Sequence, residues 1–193
     1  CLNFIILTFK YLKNFMADTT ATAALLAAQT VNGTGSDRGW IMTAGVIIFF
    51  MQSGFALLES GNVRFKNYQN ILLKNCMDAC IGAIVWWICG FAFAFGFKQD
   101  DEGNNTNNFI GSQYFFASKL GDDDAAYSYG FWFFQYAFAC TAATIVSGSL
   151  AERVNIPNYL LYSAFMTGFI YPVVVAWTWG GGFLSGWGFA DFA

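Results

Sequence analysis

Four apolar runs free of Asp, Glu, Lys and Arg leave few folds open to this chain. A helix needs roughly 20 apolar residues to cross the hydrocarbon core of a bilayer, and about 18 without charge mark a candidate. The first run extends from Trp40 to Leu58, between Arg38 and Glu59. The second extends from Ala79 to Phe97, between Asp78 and Lys98, and its helix is expected to begin a turn or two earlier. The third lies in the charge-free stretch from Ala125 to Ala151, after the acidic residues Asp122, Asp123 and Asp124 and before Glu152 and Arg153. The fourth starts near Pro157, where proline suits a first helical turn and Asn155 can cap it. It runs to about Trp177, and Gly180, Gly181 and Gly182 then break it. The expected spans are 40–60, 72–97, 127–151 and 157–178, and the fold class is an all-α polytopic membrane protein.

Composition agrees with this reading and removes several functions. Of 193 residues, 56% are hydrophobic and 11% charged, against roughly 25% charged in soluble proteins. A net charge of −3 with nine scattered Lys and Arg provides no basic patch for a nucleic-acid backbone. The absence of histidine excludes His-based triads, His-ligated zinc and imidazole proton relays from this stretch. Cys76 and Cys80 share a helix face, but without His or further Cys nearby packing is favoured over metal binding. No metal or cofactor is expected. The glycines from Gly180 to Gly182 are not followed by the Lys-Ser or Lys-Thr of a phosphate loop. No catalytic residue is assigned.

Basic residues in short loops set orientation. Arg64, Lys66 and Lys74 lie between the first two spans and Arg153 between the third and fourth, so these loops are expected to be cytoplasmic. The acidic loop from Lys98 to Asp124 then faces outward, as does the N-terminal side. The sequons beginning at Asn32 and Asn104 fall on outward segments, a weak second hint. Residues 1–36 read as a separate N-terminal segment, extracellular or partly untranslated and disordered, with Met16 as the expected start. Within it a short alanine-rich helix is expected from Ala21 to Ala28, then a loop from Thr30 to Ser36.

Polar groups inside spans are costly and therefore informative. Gln52 and Gln135 read as interhelical hydrogen-bond partners. Asp78, one turn after Lys74, is equally compatible with a structural ion pair or helix start and with a transport path. Ala139, Ala143, Ser147 and Ala151 form a small-residue stripe on which another helix can pack closely. The third span opens with Tyr127, Tyr129, Phe131, Trp132, Phe133, Phe134, Tyr136 and Phe138. Composition alone favours an interfacial belt for most of these over a cation cage. Phe134 and Phe138 nevertheless share one face, and Trp177 and Trp179 return to the same level on the fourth span. Stacked ring faces there could hold a small cation for about 0.5 to 2 kcal/mol per ring.

Several strings resemble the ammonium transporter, methylammonium permease and Rhesus superfamily, closest to its plant-like and protist branch. They are MQSGFALLESGNVRFKN from Met51 to Asn67, FWFFQYAFACTAATIVSGSLAERV from Phe131 to Val154, and YLLYSAFMTGFIYPVVVAWTWGGG from Tyr159 to Gly182. FGF at the end of the second span and Asp191-Phe192-Ala193 complete the match. The resemblance implies most of the first of two inverted halves of an eleven-helix fold, with residues 37–193 as the N-terminal part of the transporter domain and a fifth helix starting near 191. It implies a homotrimer in the plasma membrane, N-terminus outside, that carries ammonium and methylammonium. By position, Trp179, Phe138 and Phe134 resemble the ammonium recruitment site, Phe138 the outer pore gate, and Asp191 the aspartate that stabilises the cation and the pore. The two pore histidines, the inner gate phenylalanine and the cytoplasmic tail of the family would fall beyond Ala193. An ammonium sensor without transport, and a truncated non-conducting membrane protein, stay open as alternatives.

Overall fold

The structure, a computed structural model, describes residues 19–98, 107, 109–118, 120 and 127–190, with side chains from residue 35 onward. The expected start at Met16, the sequon at Asn104, the run Asp122 to Asp124 and the site residue Asp191 lie outside the described residues. The chain divides into two compact units, Cys1–Trp40 and Ile41–Ala193. The first helix is continuous from Thr19 to Asn62, so the loop expected from Thr30 to Ser36 is helical. Each glycine inside a helix costs about 1 kcal/mol, but propagation recovers one hydrogen bond per residue once a turn exists.

Among the described residues, four helices are long and apolar enough to cross a membrane: Gly35–Asn62, Phe65–Phe95, Tyr129–Leu150 and Ile156–Gly186. The described residues contain no strand. The second span opens with a 3₁₀ turn, Phe65–Asn67, and is then α-helical over Tyr68–Val85 and Phe91–Phe95. Between these α segments lies a π turn, Trp86–Gly90. In the fourth span Ile156–Phe165 and Tyr171–Thr178 flank a second π turn, Met166–Ile170. Local signals explain two starts. Ser128 accepts a hydrogen bond from the Phe131 amide at 3.2 Å, an N-cap bond. Asn155 occupies the expected N-cap of the fourth span with Pro157 in the first turn, but its side chain makes no cap bond; its carbonyl accepts from the Tyr159 amide at 3.0 Å.

The spans of the second unit pack through small and aromatic residues. Ala139, Ala143 and Ser147 are buried along one face of the third span, whereas Ala151 lies just past the helix, at its C-cap. In a lipid environment such a stripe gains from close van der Waals approach rather than from expelling water. The two π turns face each other. A β-carbon on Gly90 would come within 2.9 Å of the Thr167 carbonyl, and one on Gly168 would collide with the Val85 side chain. Cys89 Sγ bridges the pair, 3.7 Å from the Gly168 carbonyl oxygen.

Each end of the bundle has its own fastening. At one end, called here the basic end, Glu152 accepts hydrogen bonds from Asn67 Nδ2 at 2.8 Å and from the Arg64 amide at 3.0 Å. Arg64 Nε lies 3.3 Å from its other oxygen. At the opposite, aromatic end, Gly180 presses against the Ala94 carbonyl, leaving no room for a side chain. There Trp177 Nε1 donates to the Phe109 carbonyl at 2.9 Å, and the Gly111 amide donates to the Phe93 carbonyl at 3.0 Å.

Candidate functional site

Phe134 and Phe138 stand one turn apart on the third span, and their rings meet edge to face with centroids 5.1 Å apart at 76°. A helix turns about 100° per residue, so the two share a face with the exposed Ile145, opposite the buried stripe. Both are half-buried. Gly45 of the first span backs this segment, since a β-carbon there would sit 3.3 Å from Phe134 Cα and 3.1 Å from the Phe133 ring. An edge-to-face pair keeps a negatively polarised ring face open to a cation. Trp179 caps the C-terminal end of Tyr171–Thr178, its amide bonded to the Val175 carbonyl at 2.8 Å and its side chain 57% exposed. The structure thus brings Phe134 and Phe138 into contact and holds Trp179 at the same end on another span.

The rest of the aromatic cluster divides differently from a belt. Tyr127 and Phe131 stack at 5.1 Å and pack on Phe91, which is fully buried, and on Phe95. Trp132 stacks on Tyr136, whose hydroxyl donates to the Ala79 carbonyl at 2.6 Å. Tyr129 alone of these points well outward, at 60% exposure. Most of the cluster is therefore an aromatic core joining the second and third spans, and Phe134 with Phe138 form a separate face. Burial, followed by the neighbouring Tyr114, pushes the Tyr127 phenol above its ordinary range and keeps it neutral.

A polar cluster lies deeper, toward the basic end, and three sequence readings change there. Gln52 bonds Thr144, whose hydroxyl donates to its Oε1 at 2.7 Å. Gln135 stands nine residues, about 14 Å, farther along the same helix and cannot share that contact. Lys74 is not a loop residue: it is buried in the second span with its ammonium 4.0 Å from the centroid of the Tyr159 ring. Asp78 is not a helix start, because the helix begins ten residues earlier; its charge interacts with that of Lys74, and its Oδ2 accepts from the Tyr159 hydroxyl. Glu59, which in sequence marks the edge of the first span, is buried too. It accepts from Asn75 Nδ2 at 3.0 Å and from the Ser147 hydroxyl. The spacing of Lys74 and Asp78 was visible in sequence; the burial of Lys74 and Glu59 was not, because it depends on the neighbouring helices.

Among the described residues, four helices able to cross a membrane, an aromatic end with an open phenylalanine pair and a buried polar cluster define an all-helical polytopic membrane protein. Residues 39–193 match the Ammonium Transporter Family, and the chain belongs to that family. It is 42% identical over 148 residues to ammonium transporter 1 member 3 of Solanum lycopersicum, covering 77% of this chain and 29% of that protein. With ammonium transporter Amt2 of Archaeoglobus fulgidus the identity is 39% over 167 residues, covering 81% of this chain and 34% of the relative. The solved structure of a sensor Amt protein superposes with a TM-score of 0.73 at 37% identity, over 80% of this chain and 38% of that one. The chain spans about a third of the length of these curated relatives.

Proposed function

We propose that the full-length protein carries ammonium and methylammonium across the plasma membrane through a hydrophobic pore gated by aromatic side chains. The family match over residues 39–193 carries this reading. The edge-to-face pair of Phe134 and Phe138 fits it chemically. Burying a bare ammonium ion in hydrocarbon would cost tens of kcal/mol on a Born estimate, so the cation must first be gathered where ring faces replace part of its hydration. Trp179 and Phe134 gather it, Phe138 gates the narrow path, and Asp191 stabilises the cation from the start of the next helix. The protein acts as a homotrimer with its N-terminus outside and the loops of Arg64, Lys66 and Arg153 in the cytoplasm.

Uptake of labelled methylammonium by cells expressing the full-length protein tests this directly. Trp179→Leu is expected to weaken apparent affinity severalfold with surface expression unchanged; unaltered affinity and rate would remove Trp179 from the recruitment site. A second reading, ammonium sensing without transport, is favoured by the likeness to a sensor Amt protein. Saturable binding of ammonium by purified protein, with no methylammonium entering proteoliposomes, would select the sensor.

A further inference from the structure

The polar cluster toward the basic end holds more negative than positive charge. Lys74, Glu59 and Asp78 are 4%, 8% and 1% exposed, within helices long and apolar enough to cross a membrane. If all three were ionised, the cluster would carry a net charge of −1 away from water. A buried charge without compensation costs several kcal/mol, comparable to the cost of protonating a carboxyl near neutral pH, so the local hydrogen bonds decide.

Among the described residues, the surroundings of Asp78 provide no second cation. Lys74 and Glu59 act on it from the second and first spans, Tyr159 and Tyr162 from the fourth, and Tyr136 and Cys140 from the third. Phenols and thiols are neutral near pH 7 by their ordinary values, about 10 and 8.5. At the rim Arg64 and Glu152 pair with each other.

Hydrogen bonds distinguish the two carboxyl groups. Each Glu59 oxygen accepts from a neutral donor, Ser147 on one and Asn75 on the other, an arrangement that suits a carboxylate. Asp78 accepts from the Tyr159 hydroxyl on Oδ2, and the Ser163 hydroxyl faces its carboxyl from the fourth span; Oδ1 and Ser163 Oγ are both buried without a well-formed hydrogen bond. Asn75 Oδ1, one turn back on the same helix, is a buried acceptor that also lacks a partner. A proton on Asp78 Oδ1 creates a donor where acceptors go unused, and it brings the cluster to neutrality.

We propose that Asp78 is a proton-binding site, protonated at neutral pH and exchanging with the basic end of the bundle. A cavity of about 420 Å³ opens there, lined by Asn67, Asn70, Lys74, Glu152 and Asn155 among others, and reaches the buried Lys74. Lys74, which lines it, stands one helical turn from Asp78, and the proton enters from that side. Ser147, which faces Glu59, is nine residues and about 14 Å along the third span from Phe138, so the site lies off the aromatic face. The inference holds whether the protein transports or senses.

Infrared difference spectroscopy of the full-length protein in liposomes tests it. At pH 7 the wild type should show the carbonyl stretch of a protonated carboxylic acid that disappears in Asp78→Asn and persists in Glu59→Gln. Absence of the band from the wild type, its survival in Asp78→Asn, or its loss in Glu59→Gln would overturn the assignment. Should Asp78→Asn fail to fold, Tyr159→Phe serves in its place. Removing the hydroxyl donor must shift the band to higher frequency, and an unmoved band overturns the site.

Discussion

Glu152 is held in the left-handed backbone region, with φ of 62°, which a side chain other than glycine adopts at a cost. Its three contacts with Asn67 and Arg64 explain why the conformation persists. The Asn67 amide, then the Arg64 backbone N–H and guanidinium, hold its carboxyl below the usual carboxylate range. A carboxyl depressed on folding stabilises the folded state above its unfolded value of about 4.3. That contribution is lost as pH falls through the lower folded value. Glu152→Gln is thus expected to melt earlier than the wild type at pH 7, with the gap closing in acid; thermal unfolding scans across pH check it. Phe138 makes a different demand on its environment. Phe138→Ala removes one ring of the edge-to-face pair from a half-open face, so it should alter methylammonium flux while leaving expression at the surface intact. Normal flux would sink the gate role. Phe134 and Phe138 were legible in sequence because four-residue spacing on a helix is unambiguous. Glu59 and Lys74 were not, because a charge flanking an apolar run and a charge buried by a neighbouring helix look the same in one dimension.

At the scale of elements, the spans were legible because a charge-free run of this length has few alternatives to a helix. The two π turns were not legible. Their cause is tertiary: Trp86–Gly90 and Met166–Ile170 press against each other, and glycine on both sides permits it. Gly90→Ala would push a methyl within 2.9 Å of the Thr167 carbonyl and 2.5 Å of Trp86 Cε3. Backbone and a fully buried indole have little freedom to yield, so the substitution should cost about 1 to 3 kcal/mol as overpacking. The detergent-solubilised full-length protein would then melt several degrees lower. An unchanged melting temperature would mean that the two π turns slide apart without penalty.

For the whole molecule, charge in the loops predicts which end faces the cytoplasm, and burial of Lys74 thins that argument to Arg64, Lys66 and Arg153. Lys66 is exposed in the short 3₁₀ turn at the basic end and suits a direct probe. Lys66→Cys should react with a membrane-impermeant maleimide only after cells are permeabilised, measured against the native cysteines as background. Labelling in intact cells would reverse the orientation. The facing π turns also constrain how this family can change by insertion or deletion. A π turn accommodates one residue more than an α turn, so a deletion inside Met166–Ile170 could be absorbed without breaking the helix. A deletion in the flanking α segments has no such outlet and would rotate everything beyond by about 100°, carrying Trp179 away from its present bearing and the face of Gly180 off Ala94. Such a deletion would be silent in hydropathy and in helix content, yet it would change which side chains face the aromatic end. The two π turns are therefore the places where these spans can lose a residue and keep their faces in register.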